Sequence, residues 1–333
     1  MNLFKKQNKI FAIGDLASEF FIGIEDADIL YNKESNDSQI CLPYGGKIPY
    51  KSLDHCRAVG NSANFAIGAS RLGVPVSLLS YVGDDLVGSN IIDELKKEKI
   101  DISNIEKVPN FESNVHFVLN HKGERTILVK HQEFPYSFPK NIKADWLYLS
   151  SLASNSLEYH QKIINFLKNN KDVKLVFQPG TFQIKIGYES LKEIYENTEV
   201  FISNKEEAER ILGVLEMPIP DLLKKIYSFG PKIVVITDSI NGSYCYNGKE
   251  VLYMNSLYKK EETVESTGAG DAFSAGFVSA LFFGKDLKEA LSWGTINAKE
   301  VVSFVGPQKG LVSFSSLGEL LKKYSSSLEI KII

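Results

Sequence analysis

The run Val264-Glu265-Ser266-Thr267-Gly268-Ala269-Gly270-Asp271-Ala272-Phe273 joins small residues to a carboxylate. Small residues let a backbone approach a ligand closely. Phe273, Phe277, Ala280 and Leu281 then recur at helical spacing, so Asp271 stands at a helix start. A glycine-rich turn opening a helix offers free N–H groups and the positive end of the helix dipole to an anion. A carboxylate there repels a phosphate, which makes it an odd cradle but a reasonable base. It could take a proton from an attacking hydroxyl while the N–H groups stabilise a transferring phosphoryl group. On local chemistry alone, an ordinary N-cap aspartate is an equal alternative.

Three further segments carry polar groups at places where helices start or strands end. Val59-Gly60-Asn61-Ser62-Ala63-Asn64 sets amides at a helix start, and Asn64 can donate to and accept from hydroxyls. Asn204 and Glu207 lie three apart on one helical face, where an amide and a carboxylate could orient magnesium and its waters, though alone such a pair is usually just a helix cap. Thr237-Asp238-Ser239-Ile240-Asn241-Gly242 follows an apolar strand as a polar turn. No GxxxxGK[ST] is present, and no ordered HRD and DFG pair, so neither a P-loop nor a protein-kinase site is encoded. The histidines at 55, 116, 121, 131 and 160 form no recognisable triad or metal set, and His121 and His131 read as surface residues.

The elements that must position these groups follow an α/β rhythm. The pattern predicts strands over 9–14, 76–82, 146–149, 174–177, 200–202 and 233–237. Helices are predicted over 62–72, 85–99, 157–168, 206–212, 270–283 and 287–305, the last opened by a capping-box pattern at Asp286 to Glu289. A short hairpin, 243–246 with 251–254, comes before the last two helices. Alternating strands and helices imply a mostly parallel sheet covered on both faces, a three-layer α/β sandwich. Two β-only excursions, about 19–57 and 112–131, break the rhythm and are expected to form a small β lid. The 333 residues thus read as one domain, 1–333, with a lid.

Composition narrows the classes. Apolar residues make up 44% and charged residues 24%, ordinary for a protein with a real core. A net charge of −3 gives no basic field for nucleic acid or an anionic membrane. Cys41, Cys56 and Cys245 form no CxxC and no zinc spacing, which fits a reducing compartment. No signal-peptide core and no long apolar run is present, so a cytoplasmic location is expected.

In this order, the segments resemble the ribokinase-like (PfkB) carbohydrate kinases from Gly14 to Gly310. The resemblance implies that Asp271 is the catalytic base and that Gly268, Ala269 and Gly270 line an anion hole. It implies substrate contacts from Glu19, Gly60, Asn61 and Asn64. Nucleotide contacts would come from Asn204, Thr237, Ser239, Gly242, Thr267 and Asn297, and a magnesium site, through water, from Asn204 and Glu207. ATP and Mg2+ are the implied cosubstrate and ion, with a monovalent cation near Glu265. Four positions depart from the family pattern: Glu19 for an aspartate, Val59 and Ser239 for glycines, and Glu265 for an aspartate. The expected activity is phosphoryl transfer to a hydroxymethyl group of a sugar. A nucleoside kinase is the alternative within the family, with Phe20, Phe21 and the lid aromatics as walls for the base. Lys47, Arg57 and Arg125 are candidates for gripping a phosphorylated sugar. A weakly catalytic ligand-binding regulator on the same fold is the reading from another class. Exposed lid edges allow a homodimer through lid-to-lid pairing.

Overall fold

A computed structural model describes residues 9–32, 37–122 and 124–333. The polar stretch expected between two lid strands and the glycine of the lid turn lie partly or wholly outside the described residues. The chain starts with β1 (Ile10–Ile13) and enters the lid as β2 (Ala17–Ile24), β3 (Asp28–Asn32), β4 (Asp37–Cys41) and β5 (Tyr50–Val59). It returns through α1 (Asn61–Arg71), β6 (Val76–Gly83), α2 (Leu86–Lys97) and β7 (Asp101–Val108), then re-enters the lid as β8 (Asn114–His121) and β9 (Glu124–Leu128). Next come β10 (Trp146–Leu149), α3 (Leu157–Asn169), β11 (Lys174–Phe177), α4 (Thr181–Ile186), α5 (Tyr188–Glu196), β12 (Thr198–Asn204) and α6 (Lys205–Leu212). The chain continues with α7 (Ile219–Tyr227), β13 (Ile233–Thr237), β14 (Ser243–Tyr246) and β15 (Val251–Met254). It closes with α8 (Ala269–Phe282), α9 (Leu287–Val301), α10 (Phe314–Lys323) and β16 (Ile330–Ile332).

One ten-stranded sheet runs β16-β15-β14-β13-β12-β11-β10-β1-β6-β7. From β7 to β13 every pairing is parallel; β14, β15 and β16 join antiparallel at one edge. Period-two alternation splits its side chains between two cores. Ile10, Ala12, Trp146 and Tyr148 face one core with α1, α8 and α9. Phe11, Ile13, Leu147 and Leu149 face the other with α3, α5 and α7. Both faces are therefore dry, which is why these strands read as continuous apolar runs.

The two β-only excursions meet in one four-stranded sheet, β5-β2-β8-β9, with β3 and β4 as a separate hairpin. Strand β2 pairs antiparallel with β5 but parallel with β8, so the lid is built from distant parts of the chain. Helix α9 stops at Val301 rather than Val305, because the chain turns through Gly306 at φ +86° into Pro307. Only half of the expected capping box forms at its start: Asp286 accepts from the Glu289 N–H at 2.9 Å.

Candidate active site

Helix α8 opens at Gly268, whose φ of +76° is left-handed backbone, and a Cβ there would lie 2.3 Å from Pro307 Cβ. Only glycine fits that turn without strain. The Ala269 N–H folds back onto Ser266 O at 3.2 Å, so one of the three backbone groups expected in the anion hole is already engaged. The N–H groups of Gly270 and Asp271 have no acceptor within the helix and point out of its first turn. A Cβ on Gly270 would meet nothing within 4 Å, so this end is open.

Asp271 is buried, at 5% exposure, and is held by amides from α1 and from the segment after β11. Asn61 Nδ2 donates to its Oδ1 at 2.8 Å, and Asn64 Nδ2 donates to its Oδ2 at 2.8 Å. Gln178 Nε2, just past β11, donates to Oδ1 at 3.0 Å. Burial pushes the Asp271 carboxyl above its ordinary range; the amides of Asn64, Asn61 and Gln178 oppose this, and Glu19 adds repulsion. The two asparagines come from the first turn of α1, which Gly60 allows to start against the turn after β1. Its φ is +107°, and a Cβ would sit 2.4 Å from Asp15 O. Val59, where the family has a glycine, is fully buried as the last residue of β5.

A cavity of about 310 Å³ adjoins this helix end. Asn204, Thr237, Ser239, Gly242, Ala269 and Gly270 line it together, although they are far apart in sequence. Ser239 has φ +47°, an arrangement that costs a side-chain-bearing residue about 1–2 kcal/mol and explains the usual glycine. Asn204 and Glu207 form a complete capping box: Asn204 Oδ1 accepts from the Glu207 N–H at 2.7 Å, and Glu207 Oε2 from the Asn204 N–H at 3.0 Å. Burial raises the Glu207 pKa, with Asp271 and Glu206 adding repulsion against the Asn204 N–H bond and Arg210. Glu207 is not among the residues lining the cavity, while Asn204 and Glu206 beside it are. Among the described residues no cluster could ligate a metal directly.

Two expected nucleotide contacts lie elsewhere. Asn297 is fully buried; its Nδ2 donates to Ala272 O at 2.6 Å and its Oδ1 accepts from the Val312 N–H at 2.9 Å. It ties α8 to the segment before α10, while its neighbours Thr295 and Ala298 line the cavity. Thr267 is not among the lining residues, and its hydroxyl donates to Glu265 Oε1. The other Glu265 oxygen accepts from the Gly306 N–H at 2.8 Å. Both oxygens of Glu265, the expected cation-site residue, are thus bound by its own chain.

The lid carries Glu19, one of the expected substrate contacts. Glu19 aligns with Cys56 on β5 and His116 on β8, and His116 Nδ1 lies 3.2 Å from Glu19 Oε1. Burial, first, and Glu19 hold the Cys56 thiol up at about 12, so it stays protonated. The expectation of surface histidines fails. His121 is 6% exposed, with Nδ1 on Ile24 O at 2.9 Å, and His131 lies 3.6 Å from Asp15 Oδ2. Residues 121 and 131 bracket β9, yet His121 is buried within the lid against Ile24 and the half-buried His131 packs beside His116 and Phe182. The aromatic walls also differ. Phe21 is core, at 1% exposure, and Phe20 stacks on His55 and Phe117 on the opposite lid face from Glu19. Lys47 and Arg57 are exposed, whereas Arg125 reaches Ser266 Oγ at 3.0 Å.

Sequence reasoning missed Gln178, Tyr148, Ser274 and Gln308. Gln308 Nε2 donates to Asn64 Oδ1 at 2.8 Å. The available signal was Gln178's position just after a buried strand, at the carboxyl end of a parallel sheet where ligands bind.

The three-layer sandwich, the lid and a carboxylate at an open helix start define a kinase of the ribokinase-like fold. The chain belongs to the pfkB family of carbohydrate kinases, whose match spans residues 32–313, and is a sugar or nucleoside kinase. It is 29% identical over 271 residues to a nucleoside kinase of Methanocaldococcus jannaschii, covering 80% of this chain and 85% of that protein. It is 27% identical to the ATP-dependent 6-phosphofructokinase of Thermoanaerobacterium thermosaccharolyticum, covering 74% and 79%. The Arabidopsis thaliana ribokinase structure, complexed with ribose and ATP, superposes with a TM-score of 0.76 at 19% identity, covering 95% of this chain and 99% of that one. No helix among the described residues is long and apolar enough to cross a membrane.

Proposed function

We propose that this protein transfers the γ-phosphoryl group of ATP to a hydroxymethyl group of a sugar, with Asp271 as the base. The observation that carries this reading is the buried Asp271 carboxylate beside the unbonded N–H groups of α8, next to the cavity lined by Thr237, Ser239 and Gly242. The acceptor hydroxyl loses its proton to Asp271 as its oxygen forms a bond to the γ-phosphorus. The bond from that phosphorus to the bridging oxygen breaks, and ADP leaves. Backbone N–H groups of Gly270 and Asp271 stabilise charge on the moving phosphoryl group. Magnesium, held through water by Asn204 and Glu207, would neutralise phosphate charge. Glu19, flanked by His116, presents a carboxylate acceptor to sugar hydroxyls. Phe20 points away from the Glu19 face of the lid, whereas Phe21 is buried on that same face. ATP consumption measured against a panel of sugars, sugar phosphates and nucleosides tests the reading. Turnover on a sugar supports it, and tight binding without turnover of any acceptor removes it.

Arg125 bridges lid and catalytic loop through an exposed contact of small stabilising value. Arg125→Ala should lower kcat/KM for the acceptor about tenfold. It should also raise acceptor-free ATP hydrolysis, because the lid no longer excludes water. Thermal unfolding should change little. An unchanged coupling ratio would separate Arg125 from lid closure.

The outer lid face exposes Leu53, Phe117 and Leu128, at 51%, 41% and 53%. We propose that two copies pair through it. Sedimentation of the unaltered protein at tens of micromolar should give a dimer, and Phe117→Lys a monomer. A monomeric unaltered protein would end this proposal.

A further inference from the structure

Among the described residues Asp271 is clamped only by neutral amides, and their distribution over its two oxygens is unequal. Oδ1 takes two donors, Asn61 Nδ2 at 2.8 Å and Gln178 Nε2 at 3.0 Å. Oδ2 takes one, Asn64 Nδ2 at 2.8 Å. A carboxylate offers about two acceptor positions per oxygen. Among the described residues, Oδ1 is therefore filled and Oδ2 keeps one lone pair.

Gln178 is itself held from behind. Its Oε1 accepts from the Tyr148 hydroxyl at 2.8 Å and from the Ser274 hydroxyl. Gln178 is 8% exposed, and Tyr148 and Ser274 are fully buried. This fixes the amide's orientation. Reversed, it would aim its carbonyl oxygen at a carboxylate and its NH2 at two hydroxyls. Tyr148 is fixed in turn by Phe65 of α1, whose ring stacks on it at 3.6 Å between centroids.

We infer that Gln178 is a positioning residue for phosphoryl transfer: with Asn61 it saturates Oδ1 and leaves Oδ2 as the atom that receives the acceptor's proton. The inference rests on the proposed function for its catalytic consequence, but the contact itself does not. In the step, the acceptor O–H bond breaks, an Oδ2–H bond forms, and the acceptor oxygen bonds to phosphorus as ADP departs. The charged and titratable groups around the carboxylate are Glu19 from the lid, Glu207 from α6 and Tyr148 from β10. None of these is a cation, and the amide bonds oppose the effect of burial on the ionised base.

Two variants test this with two readouts. Carbon-13 NMR of aspartate-labelled protein follows the Asp271 carboxyl directly, with Asp271→Asn assigning the resonance, and needs no substrate. In Gln178→Leu the titration should move to higher pH, because the ionised form loses a donor. Turnover with ATP and whichever sugar or nucleoside the panel selects should show kcat down about tenfold or more, with KM for ATP within about twofold. The acid limb of kcat/KM should move up in parallel. Should Gln178→Leu not fold, Tyr148→Phe removes one anchor of the amide while keeping its shape, and should give a smaller upward move of the same resonance. An unmoved Asp271 titration, or a kcat unchanged within about twofold in the folded variant, overturns the inference. If no acceptor is turned over at all, the kinase reading fails while the NMR result still decides whether Gln178 tunes the carboxyl.

Discussion

Asp271→Asn should bind ATP as well as the unaltered protein and lose roughly 10²- to 10⁴-fold in kcat. The substitution keeps the shape of the side chain but removes its capacity to take a proton. The backbone N–H groups of Gly270 and Asp271 are untouched, so anion binding at the start of α8 persists. The pH dependence of the unaltered enzyme carries the same signature. Burial raises the Asp271 pKa, and only the ionised form is a base. Activity should therefore fall on acidification at a higher pH than an ordinary aspartate would give. A kcat/KM profile with no acid limb above the usual carboxylate range, or an Asp271→Asn variant near full activity, would remove this residue as the base.

Phe65→Ala should have the largest effect on stability. Phe65 is fully buried on α1 and stacks on Tyr148 at an interplanar angle of 7°. Truncating a buried phenylalanine costs about 3–5 kcal/mol, which for a chain of this size lowers the melting temperature by about 4–7 °C. The effect should not stop at stability. Phe65 lies one residue after Asn64 and against the tyrosine that anchors Gln178, so both amide systems around Asp271 lose support. Calorimetry with kinetics below the melting transition separates the two effects. A destabilised variant with unchanged kcat would show that the clamp does not depend on this stack.

The strands of the large sheet were legible because burial on both faces writes them as short apolar runs: 146–149, 174–177 and 233–237 coincide with β10, β11 and β13. β7 escaped notice because it is the sheet edge, where Asp101, Ser103 and Glu106 interrupt the pattern. The turn at Gly268 and the cap at Asn204 are local events, and local sequence reveals them. Gln178 is different. Its partner lies 93 residues on, and nothing in Phe177-Gln178-Pro179 says which way the amide turns. Asn297 misled for the opposite reason: its place in the family order suggested the nucleotide, while packing between α8 and α10 took both its polar ends. The histidines of the lid read as surface residues because each segment alone is polar. His121 is covered because β8 lies beside β2, whose Ile24 O it meets, a pairing across 97 residues that no single segment announces.

The clamp around Asp271 also bears on how the protein ages. Asparagine and glutamine are thermolabile side chains, and hydrolysis of an amide to a carboxylate adds less than one dalton while reversing its role from donor to repelling charge. At Asn61, Asn64 or Gln178 that change would set a second anion within about 3 Å of the base. A preparation stored warm should then lose turnover before it loses fold, with the damage visible as an acidic shift on isoelectric focusing.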